Sequence, residues 1–596
     1  MNRLLAILLG LAAAVPVQAQ SESPKHEFRG AWIATVINLD WPSSAGTPTA
    51  LKKNRLIAIL DDLAETGINS VFFQVRTECD ALYESSIEPW SVYLTGQQGT
   101  APSPFFDPLE FAVDEAHRRG MSLHAWLNPF RCEREVGKYA LAASHPLVEN
   151  PDWGLTLESS STPGRFHTIL NPGLDQVHDY VVSIVDDILR RYDVDGIHFD
   201  DYFYPYPPYE MGAADLSTFD ADPRGFGNLD NWRRDNINRF VARINDKVLE
   251  VKPDAVFGIS PFGIWKSGTP DGIVGLSAVD ALFADARAWL DAGSIDYIAP
   301  QLYWPFGGAQ DFEALSEWWV GVSGGRPVYP GLAAYRADPA TASSTVFAAN
   351  EIPNQIRFGR QLSGLDGHIL FRAQNLRGTA VADSVGALYS QLAIPPPMAH
   401  RDVFPPEAPE SLRASVITTT GSSGSSVALE WDPSIFGFVL ARSFAVYRTE
   451  GATPPDPRSM TASSANLLSR AFDPTFLDSP PGPGPYHYVV TGLSGNSAES
   501  SESNVITVEG LSVRNATPPE MPKLATYPNP FRDQLLITGP PGDIEVFDAL
   551  GREVWRSETS GQATWTPSGA LASGLYLIRL TSISGPHAVA TVVLTR

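Results

Sequence analysis

Two adjacent aspartates end a short apolar run in the stretch DGIHFDDYFYPY. A carboxylate at the end of a buried strand is costly unless it is hydrogen-bonded or used in chemistry. Because side chains alternate across a strand, Ile197 and Phe199 should face the surrounding helices, while His198 and Asp200 face the opposite way. Asp201 reaches the same place as Asp200 only if the strand ends there, and the tyrosines and prolines that follow permit such an end. We therefore predict that Asp200 is catalytic, and that Asp201 is catalytic as well if the strand breaks.

The same alternation directs polar side chains of other strand-like runs toward the same place. A second carboxylate for acid–base work is available in Asp80 or Glu78, which follow the second run, or in Asp285. Buried amides must find partners, so Asn128 and Gln301 are predicted to bind hydroxyl or amide groups of a substrate. The predicted catalytic residues are Asp200, Asp201 and Asp80, and the predicted substrate-binding residues are Arg76, His124, Asn128, His198, Tyr202, Ser260, Gln301, Tyr303, Trp304 and Tyr335.

Several of these residues also have a purely structural interpretation. Arg76 would neutralise a nearby carboxylate, His198 would be a hydrogen-bonded core residue, and the tyrosines would pack at a rim instead of stacking on sugar rings. A metal-dependent hydrolase or deacetylase is a further hypothesis, because His124, His198 and Asp200 share the inward side. No HxH or HExxH spacing accompanies them, so we predict neither a metal nor another cofactor.

These side chains need a scaffold that brings several strand ends together. Residues 26–395 contain eight strand-like runs, each but the last clearly followed by a helix-like segment. That alternation predicts an α/β fold, a (β/α)8 TIM barrel whose active site lies at the carboxyl ends of its strands. The alternative fold is an open doubly wound sheet. This alternative is less favoured because no glycine-rich phosphate loop follows any strand.

Two small all-β sandwich domains are predicted after the barrel. A proline-rich linker covers residues 396–410, and short alternating runs over 411–510 predict the first sandwich. It resembles a fibronectin type III domain in Trp431 of LEWD and in the run YHYVVTGLS. Within 522–596, the stretches YPNPFRDQLLI, IEVFDALGREVW and SGLYLIRL resemble the C-terminal sorting domain of the type IX secretion system. That resemblance implies export across the outer membrane, with the secretion machinery as a partner.

The composition is typical of an exported protein. A formal net charge of −24 disfavours nucleic acid and anionic membranes as partners. Residues 1–19 combine a basic start, an apolar core and small residues before the cleavage point, which predicts a signal peptide, and no later run is long enough to span a membrane. We expect a secreted or cell-surface protein. Cys79 and Cys132 are either a disulfide pair, which export permits, or two unpaired thiols.

Eight long stretches between residues 26 and 390 resemble the glycosyl hydrolase-like family ten domain, among them FRGAWIATVINLDWP, HAWLNPFR, VDGIHFDDYFYP and IDYIAPQLYW. The resemblance implies a (β/α)8 barrel that hydrolyses glycosidic bonds in a polysaccharide, such as the glycan strands of peptidoglycan. It does not supply a settled pair of catalytic residues. The fourth run is also similar to the chitinase pattern DGxDxDxE, but His198 replaces its middle aspartate and Tyr202 its terminal glutamate.

Two mechanisms remain open at this point. In the first, Asp200 pairs with a carboxylate from another strand end, as most glycosidases require two carboxylates. In the second, an N-acetyl sugar supplies its own amide as the nucleophile, held by Asp200 and Tyr303, with Asp201 as the acid. A non-catalytic glycan-binding protein is a further alternative, because the barrel and its aromatic residues would serve that role equally well.

Overall fold

The computed structural model describes most of the chain after the predicted signal peptide, which itself lies outside the described residues. Within the described part, no helix is long and apolar enough to cross a membrane. The described residues are 23–342, 346–401, 404–418, 425–435, 437, 439–509, 525–527, 531–539, 541–548, 552–569, 571–582 and 587–594.

The first domain alternates strands and helices, as predicted. Its strands are β1 (Phe28–Ile33), β2 (Ser70–Arg76), β3 (Ser122–Leu127), β4 (Arg131–Glu133), β5 (Gly154–Glu158), β6 (Phe166–Leu170), β7 (Gly196–Phe199), β8 (Val256–Ile259), β9 (Tyr297–Ile298), β10 (Gly331–Leu332) and β11 (Gly367–Leu370). Its α-helices are α1 (Thr49–Glu65), α2 (Val92–Thr95), α3 (Pro108–His117), α4 (Pro146–Glu149), α5 (Asp175–Arg191), α6 (Leu216–Ala221), α7 (Leu229–Val251), α8 (Ala278–Ala281), α9 (Ala286–Ala292), α10 (Phe312–Val322), α11 (Ala334–Ala337), α12 (Glu351–Gly359) and α13 (Ala380–Leu388).

Eight of these strands form one parallel sheet in the order β10-β11-β1-β2-β3-β7-β8-β9. The two outer strands meet, because Tyr329 N donates to Ile298 O at 2.9 Å and Gly331 N donates to Pro300 O at 2.8 Å. The sheet is therefore closed, and the predicted (β/α)8 barrel is confirmed over the open doubly wound alternative. The other three strands, β4, β5 and β6, form a small antiparallel sheet in the long loop after β3.

Aromatic rings fill the barrel interior. The ring centroid of Phe72 lies 4.7 Å from that of His124 and 4.6 Å from that of His198. Tyr297 completes the layer, and Gly258 gives it room, since a Cβ at that position would lie 2.1 Å from the Tyr297 ring. Such close packing makes the barrel a solid core. In such a barrel the site is expected at the carboxyl ends of the strands.

A β-sandwich follows the barrel, and Trp431, 1% exposed, is buried between its sheets. One sheet has the order β12-β13-β16, and the other the order β15-β14-β17-β18 with β19 on β17. Its elements are β12 (Glu410–Thr418), β13 (Ser425–Asp432), β14 (Ser443–Glu450), α14 (Pro457–Thr461), β15 (Leu467–Ala471), β16 (Thr475–Asp478), β17 (Tyr486–Leu493), β18 (Glu499–Glu502) and β19 (Ile506–Val508).

The sandwich is docked on the base of the barrel. Arg470 donates to Ser122 Oγ at 2.6 Å, and the ring of Phe472 stacks on His117 with centroids 3.8 Å apart. The predicted linker is also held there, because Arg401 forms an ion pair with Asp296 at 2.5 Å. These contacts lie at the opposite end of the barrel from the carboxyl ends of its strands.

The last domain is a second, smaller pair of sheets around Trp565, as predicted. The sheets have the orders β20-β21-β24 and β23-β22-β25-β26. The strands are β20 (Ala525–Tyr527), β21 (Leu535–Thr538), β22 (Gly542–Phe547), β23 (Glu553–Thr559), β24 (Gln562–Trp565), β25 (Gly574–Ser582) and β26 (His587–Leu594).

Candidate active site

Strand β7 ends at Phe199, so Asp200 and Asp201 belong to the loop that follows it. Asp200 continues the inward side of His198, and the end of the strand lets Asp201 reach the same place. Both carboxyls line a cavity of about 280 Å³ at the carboxyl ends of the barrel strands. Asp200 is 4% exposed and Asp201 is 5% exposed. Two nearly buried acids in one cavity are the central feature of the site.

Asp200 is surrounded by hydrogen-bond donors. Trp126 Nε1 donates to Asp200 Oδ2 at 3.2 Å, Asn128 Nδ2 donates to the same oxygen, and the backbone N–H of Tyr202 donates to Oδ1 at 3.1 Å. Burial raises the pKa of Asp200, while the positive charge of Arg131 and these donors oppose the rise. Arg131 and the donors favour the ionised form of Asp200, although its pKa remains above the usual value of a carboxyl.

Gln74 fixes the direction of this arrangement. Its Nε2 donates to Asn128 Oδ1 at 2.8 Å, and Arg131 donates to the same oxygen at 3.0 Å. Because Asn128 Oδ1 accepts both bonds, the Asn128 amide nitrogen must point at Asp200. The series of hydrogen bonds from Gln74 through Asn128 to Asp200 thus fixes the orientation of the Asn128 amide.

Asp201 has a different environment. The hydroxyl of Tyr206 donates to Asp201 Oδ2. Burial, followed by the negative charge of Asp200, raises the pKa of Asp201 to about 7, although Tyr206 and Gln301 oppose the rise. Asp201 therefore retains a proton to higher pH than an ordinary carboxyl, beside an Asp200 that has more hydrogen-bond donors. This combination suits Asp201 to proton donation.

His198 and His124 lie beneath the cavity and do not line it. Trp32 Nε1 donates to His198 Nε2 at 3.2 Å, so the proton of neutral His198 is assigned to Nδ1, which lies 3.0 Å from the Tyr297 hydroxyl. That hydroxyl lies 3.1 Å from His124 Nδ1. Burial lowers the pKa of His198 far below its usual value and that of His124 to about 4. Both histidines are neutral core residues that support the floor of the site.

The cavity walls combine predicted and unpredicted residues. The predicted residues that line the cavity are Asp200, Asp201, Tyr202, Ser260, Gln301 and Tyr303. The side chains that the sequence analysis did not assign include Trp32, Gln74, Trp126, Arg131, Arg134 and Phe371. The alternation in FRGAWIATV places Trp32 on the inward side, and Arg131 stands in the stretch HAWLNPFR, so signals for both were present in the sequence.

Arg76 does not face the barrel interior, contrary to the alternation. The register between β2 and β3 shifts between Gln74 and Arg76, which marks a bulge. One extra residue reverses the sides of all residues after it. The guanidinium of Arg76 instead forms a fully buried ion pair with Glu88 at 2.7 Å. Its placement fits the structural interpretation and gives it no contact with the cavity.

The other candidate carboxylates also lie outside the cavity. Asp80 accepts a hydrogen bond from Thr77 of its own loop at 2.7 Å, and Glu78 accepts from two tyrosine hydroxyls. Asp285 caps helix α9. Among the residues that line the cavity, the carboxylates are therefore Asp200 and Asp201 alone.

Two predicted aromatic residues lie behind the wall instead of in it. The ring of Tyr335 packs edge-on against Tyr303 with centroids 6.0 Å apart. Trp304 packs edge-on against Phe262 at 5.6 Å. Neither Trp304 nor Tyr335 lines the cavity, whereas the predicted aromatic residues Tyr202 and Tyr303 do.

The metal hypothesis is not supported by this geometry. Within the described part of the chain, one group of histidine, cysteine and carboxylate side chains has ligand atoms within 4.8 Å of one another, and it consists of Cys79, Cys132 and His145. It includes none of the histidines and aspartates of the predicted set. Both cysteines are buried free thiols, so the structure corresponds to the unpaired alternative.

Comparison with known proteins decides the family. A family model described as glycosyl hydrolase-like 10 matches residues 27–349, which is more than half of the chain. The chain belongs to the glycosyl hydrolase-like 10 family. Glycosyl hydrolase YngK of Bacillus subtilis strain 168 is 34% identical over 523 residues, covering 85% of this chain and 98% of that protein. Glycosyl hydrolase DigH of Escherichia coli K12 is 34% identical over 402 residues, covering 63% of this chain and 89% of that protein.

Membership of this family supports a glycoside hydrolase type of function and confirms the resemblance stated from the sequence. A second model, described as a secretion system C-terminal sorting domain, matches residues 525–594. That match covers the last pair of sheets. It indicates secretion or attachment to the cell surface and implies an interaction with the secretion machinery.

Proposed function

We propose that this member of the glycosyl hydrolase-like 10 family is a glycosidase that cleaves O-glycosidic bonds in an N-acetylated glycan, such as the glycan strands of peptidoglycan. The observation that carries the proposal is the pair of buried carboxyls, Asp200 and Asp201, in one cavity at the carboxyl ends of the barrel strands. Asp200 accepts from three donors, and the negative charge of Asp200 helps to raise the pKa of Asp201, which suits the pair to a charge-stabilising carboxylate and an acid.

Asp201 is the general acid. With a pKa of about 7 it is about half protonated at neutral pH and mostly protonated below it, and the cavity gives it access to a leaving oxygen. Asp200 remains the better stabilised carboxylate because Trp126, Asn128 and a backbone N–H donate to it. The two neighbours thus take different roles.

A two-carboxylate mechanism needs a second carboxylate across the sugar from the acid. Asp200 and Asp201 follow the same strand, and no other carboxylate of the described residues lines the cavity. We therefore favour substrate assistance, in which the 2-acetamido group of the sugar supplies the nucleophile. This choice also explains why Asp200 is held by donors in a fixed orientation, since it would accept the amide N–H of the substrate.

The reaction then has two balanced steps. The acetamido carbonyl oxygen attacks the anomeric carbon, the glycosidic bond breaks, and Asp201 gives its proton to the leaving oxygen. Asp200 stabilises the positive charge that develops on the amide nitrogen of the cyclic intermediate. In the second step Asp201 takes a proton from water, the water oxygen attacks the anomeric carbon, and the acetamido group is restored. Two inversions give a product of retained configuration.

Tyr303 and Gln301 line the cavity beside the aspartates and are proposed to bind the acetamido group and ring hydroxyls. Burial raises the pKa of the Tyr303 phenol well above its usual value, so it remains a hydrogen-bond donor at all physiological pH values. Tyr202, which lines the cavity and is 40% exposed, provides a ring face of the kind that stacks on sugars. Export by the predicted signal peptide, followed by the sorting domain, would bring the enzyme to glycans outside the cell.

The test is product analysis by mass spectrometry with the full-length protein. The substrates are peptidoglycan strands stripped of stem peptides, chitin oligosaccharides and a panel of plant polysaccharides, each also incubated with the Asp201→Asn variant. Cleavage of an N-acetylated glycan by the wild type, with loss in the variant, supports the proposal. Cleavage of none of the N-acetylated glycans contradicts it, and binding without any cleavage favours a non-catalytic glycan-binding protein.

A further inference from the structure

A second cavity adjoins the catalytic one. It has a volume of about 240 Å³ and lies between the small sheet after β3 and the loop 202–209. The two cavities share Arg131, Arg134 and Tyr202 in their walls, so they lie side by side. Its volume is close to the 280 Å³ of the catalytic cavity, so it has room for a group of comparable size.

The charge of this second cavity is opposite to that of the protein. Its lining includes three arginines, Arg131, Arg134 and Arg165, and no carboxylate, in a chain whose formal net charge is −24. His167 also lines it, and burial together with the positive charges of Arg131 and Arg134 lowers the pKa of His167 to about 4. The local potential is therefore positive.

The arginines differ in how far they are already engaged. Arg131 is fixed, because it donates to Thr77 O at 3.0 Å and lies 5.0 Å from the ring centroid of Tyr202. Arg165 makes only a loose, exposed ion pair at 3.5 Å with a carboxylate outside the cavity. Arg134 is half-buried; its backbone pairs with His167, but among the described residues no hydrogen bond or ion pair engages its guanidinium. A half-buried guanidinium without a partner has its hydrogen-bonding capacity free for a ligand.

The remaining walls suit a carbohydrate. Tyr202, Tyr206 and Tyr209 present rings, and Ser161 and Thr162 present hydroxyl groups. Tyr206 also donates to the proposed acid Asp201, so the second cavity begins directly beside the reacting group. A sugar unit in this cavity would therefore be the immediate neighbour of the sugar whose bond is cleaved.

We infer that the second cavity is a subsite for a sugar unit that carries a carboxylate, with Arg134 as its principal partner. Guanidinium groups bind carboxylates by paired, charge-assisted hydrogen bonds, which discriminate an acidic sugar from a neutral one. The position of the subsite next to the cleaved bond rests on the proposed function. The carboxylate could be carried by an ether substituent of an amino sugar or by the ring itself in a uronic acid.

Calorimetric binding to the full-length Asp201→Asn variant tests this inference without turnover. The probes are chitin oligosaccharides, which are neutral, glycan strands of the same length with free lactyl carboxylates, and the same strands after amidation of those carboxylates. We expect the carboxylated strands to bind about tenfold more tightly than either neutral probe, with a preference that weakens at high salt. Adding Arg134→Gln should remove the preference, while Arg239→Gln, an arginine on the outer helix α7, should retain it.

Equal affinity for carboxylated and amidated strands, or a preference that survives in Arg134→Gln, would overturn the inference. A uronic acid oligosaccharide that binds tightly and loses affinity in Arg134→Gln supports the carboxylate subsite with the acid on the ring. Failure of the proposed function gives a different result, namely no cleavage of any glycan whether or not binding depends on the carboxylate.

Discussion

Asp200 and Asp201 are neighbours in the chain, yet both carboxyls line one cavity because strand β7 ends at Phe199. In a continued strand they would point to opposite faces. Because the two carboxyls share one cavity, ionisation of either one raises the pKa of the other. The donors around Asp200 favour its ionisation over that of Asp201. The division into an acid and a stabilising carboxylate follows from this single turn of the chain.

Replacement of Asp201 tests its role as the acid. Asp201→Asn should lower kcat by about 10²–10⁴-fold on a natural glycan, because the leaving oxygen loses its proton donor. On an aryl glycoside with a dinitrophenol leaving group the loss should be far smaller, since that group departs without a proton. Steady-state kinetics on both substrates measures the difference. Equal losses on the two would show that Asp201 does not act as the acid.

Tyr206 sets the pH range in which Asp201 is protonated. Its hydroxyl donates to Asp201 and so stabilises the ionised form, and the Asp201 pKa of about 7 already includes this lowering. Activity should therefore fall as pH rises through about 7, and Tyr206→Phe should move this alkaline limb to higher pH. The measurement is kcat/KM against pH for both proteins. If the alkaline limb moves to lower pH or does not move, this role of Tyr206 is contradicted.

Asp200→Asn distinguishes the two mechanisms considered for the site. If Asp200 stabilises the amide of the substrate, its loss lowers kcat by about 10²–10⁴-fold, the range usual for one catalytic group, and added azide restores nothing. If Asp200 were instead a nucleophile, azide would take its place and give a glycosyl azide product. Product analysis by mass spectrometry with and without azide separates these outcomes.

The strands and the barrel could be predicted from the sequence because the alternation of apolar residues is strict. In β7 it correctly separates Phe199 from His198, and it identifies Asp200 at the end of the strand. In β2 the same rule fails for Arg76, because a bulge adds one residue that no alternation pattern reveals. A local irregularity thus reverses the side of a residue without changing the composition of the strand.

The site residues that were not predicted from the sequence include two that lie in loops. Arg134 and Tyr206 come to the site through segments between strands, where no periodicity fixes direction. His124 and His198 show the converse, since their inward direction was predicted correctly but their depth was not. Phe72 and Tyr297 pack around these histidines and keep them below the floor of the cavity. The alternation of side chains along a strand gives their direction but not this depth.

Arg470 should stabilise the contact between the sandwich and the barrel. It is buried and donates to Ser122 Oγ at 2.6 Å and to Ser443 Oγ at 2.8 Å. Arg470→Ala should lower the free energy of unfolding by about 1–3 kcal/mol, as loss of buried charge-assisted hydrogen bonds does. Urea unfolding measures the change. The exposed Arg413→Ala, in the same sandwich, is the control and should have little effect; equal effects would contradict the assigned role.

The central claim is that the substrate's own acetamido group performs the attack beside Asp200 and Asp201. It is tested most directly by comparing kcat/KM for one oligosaccharide whose acetyl groups carry zero, one, two or three fluorine atoms. Each fluorine withdraws electrons from the carbonyl oxygen and weakens it as a nucleophile. The account predicts a progressive fall of about 100-fold or more across the series, equivalent to about 2.7 kcal/mol. A rate that does not change with fluorination would contradict it.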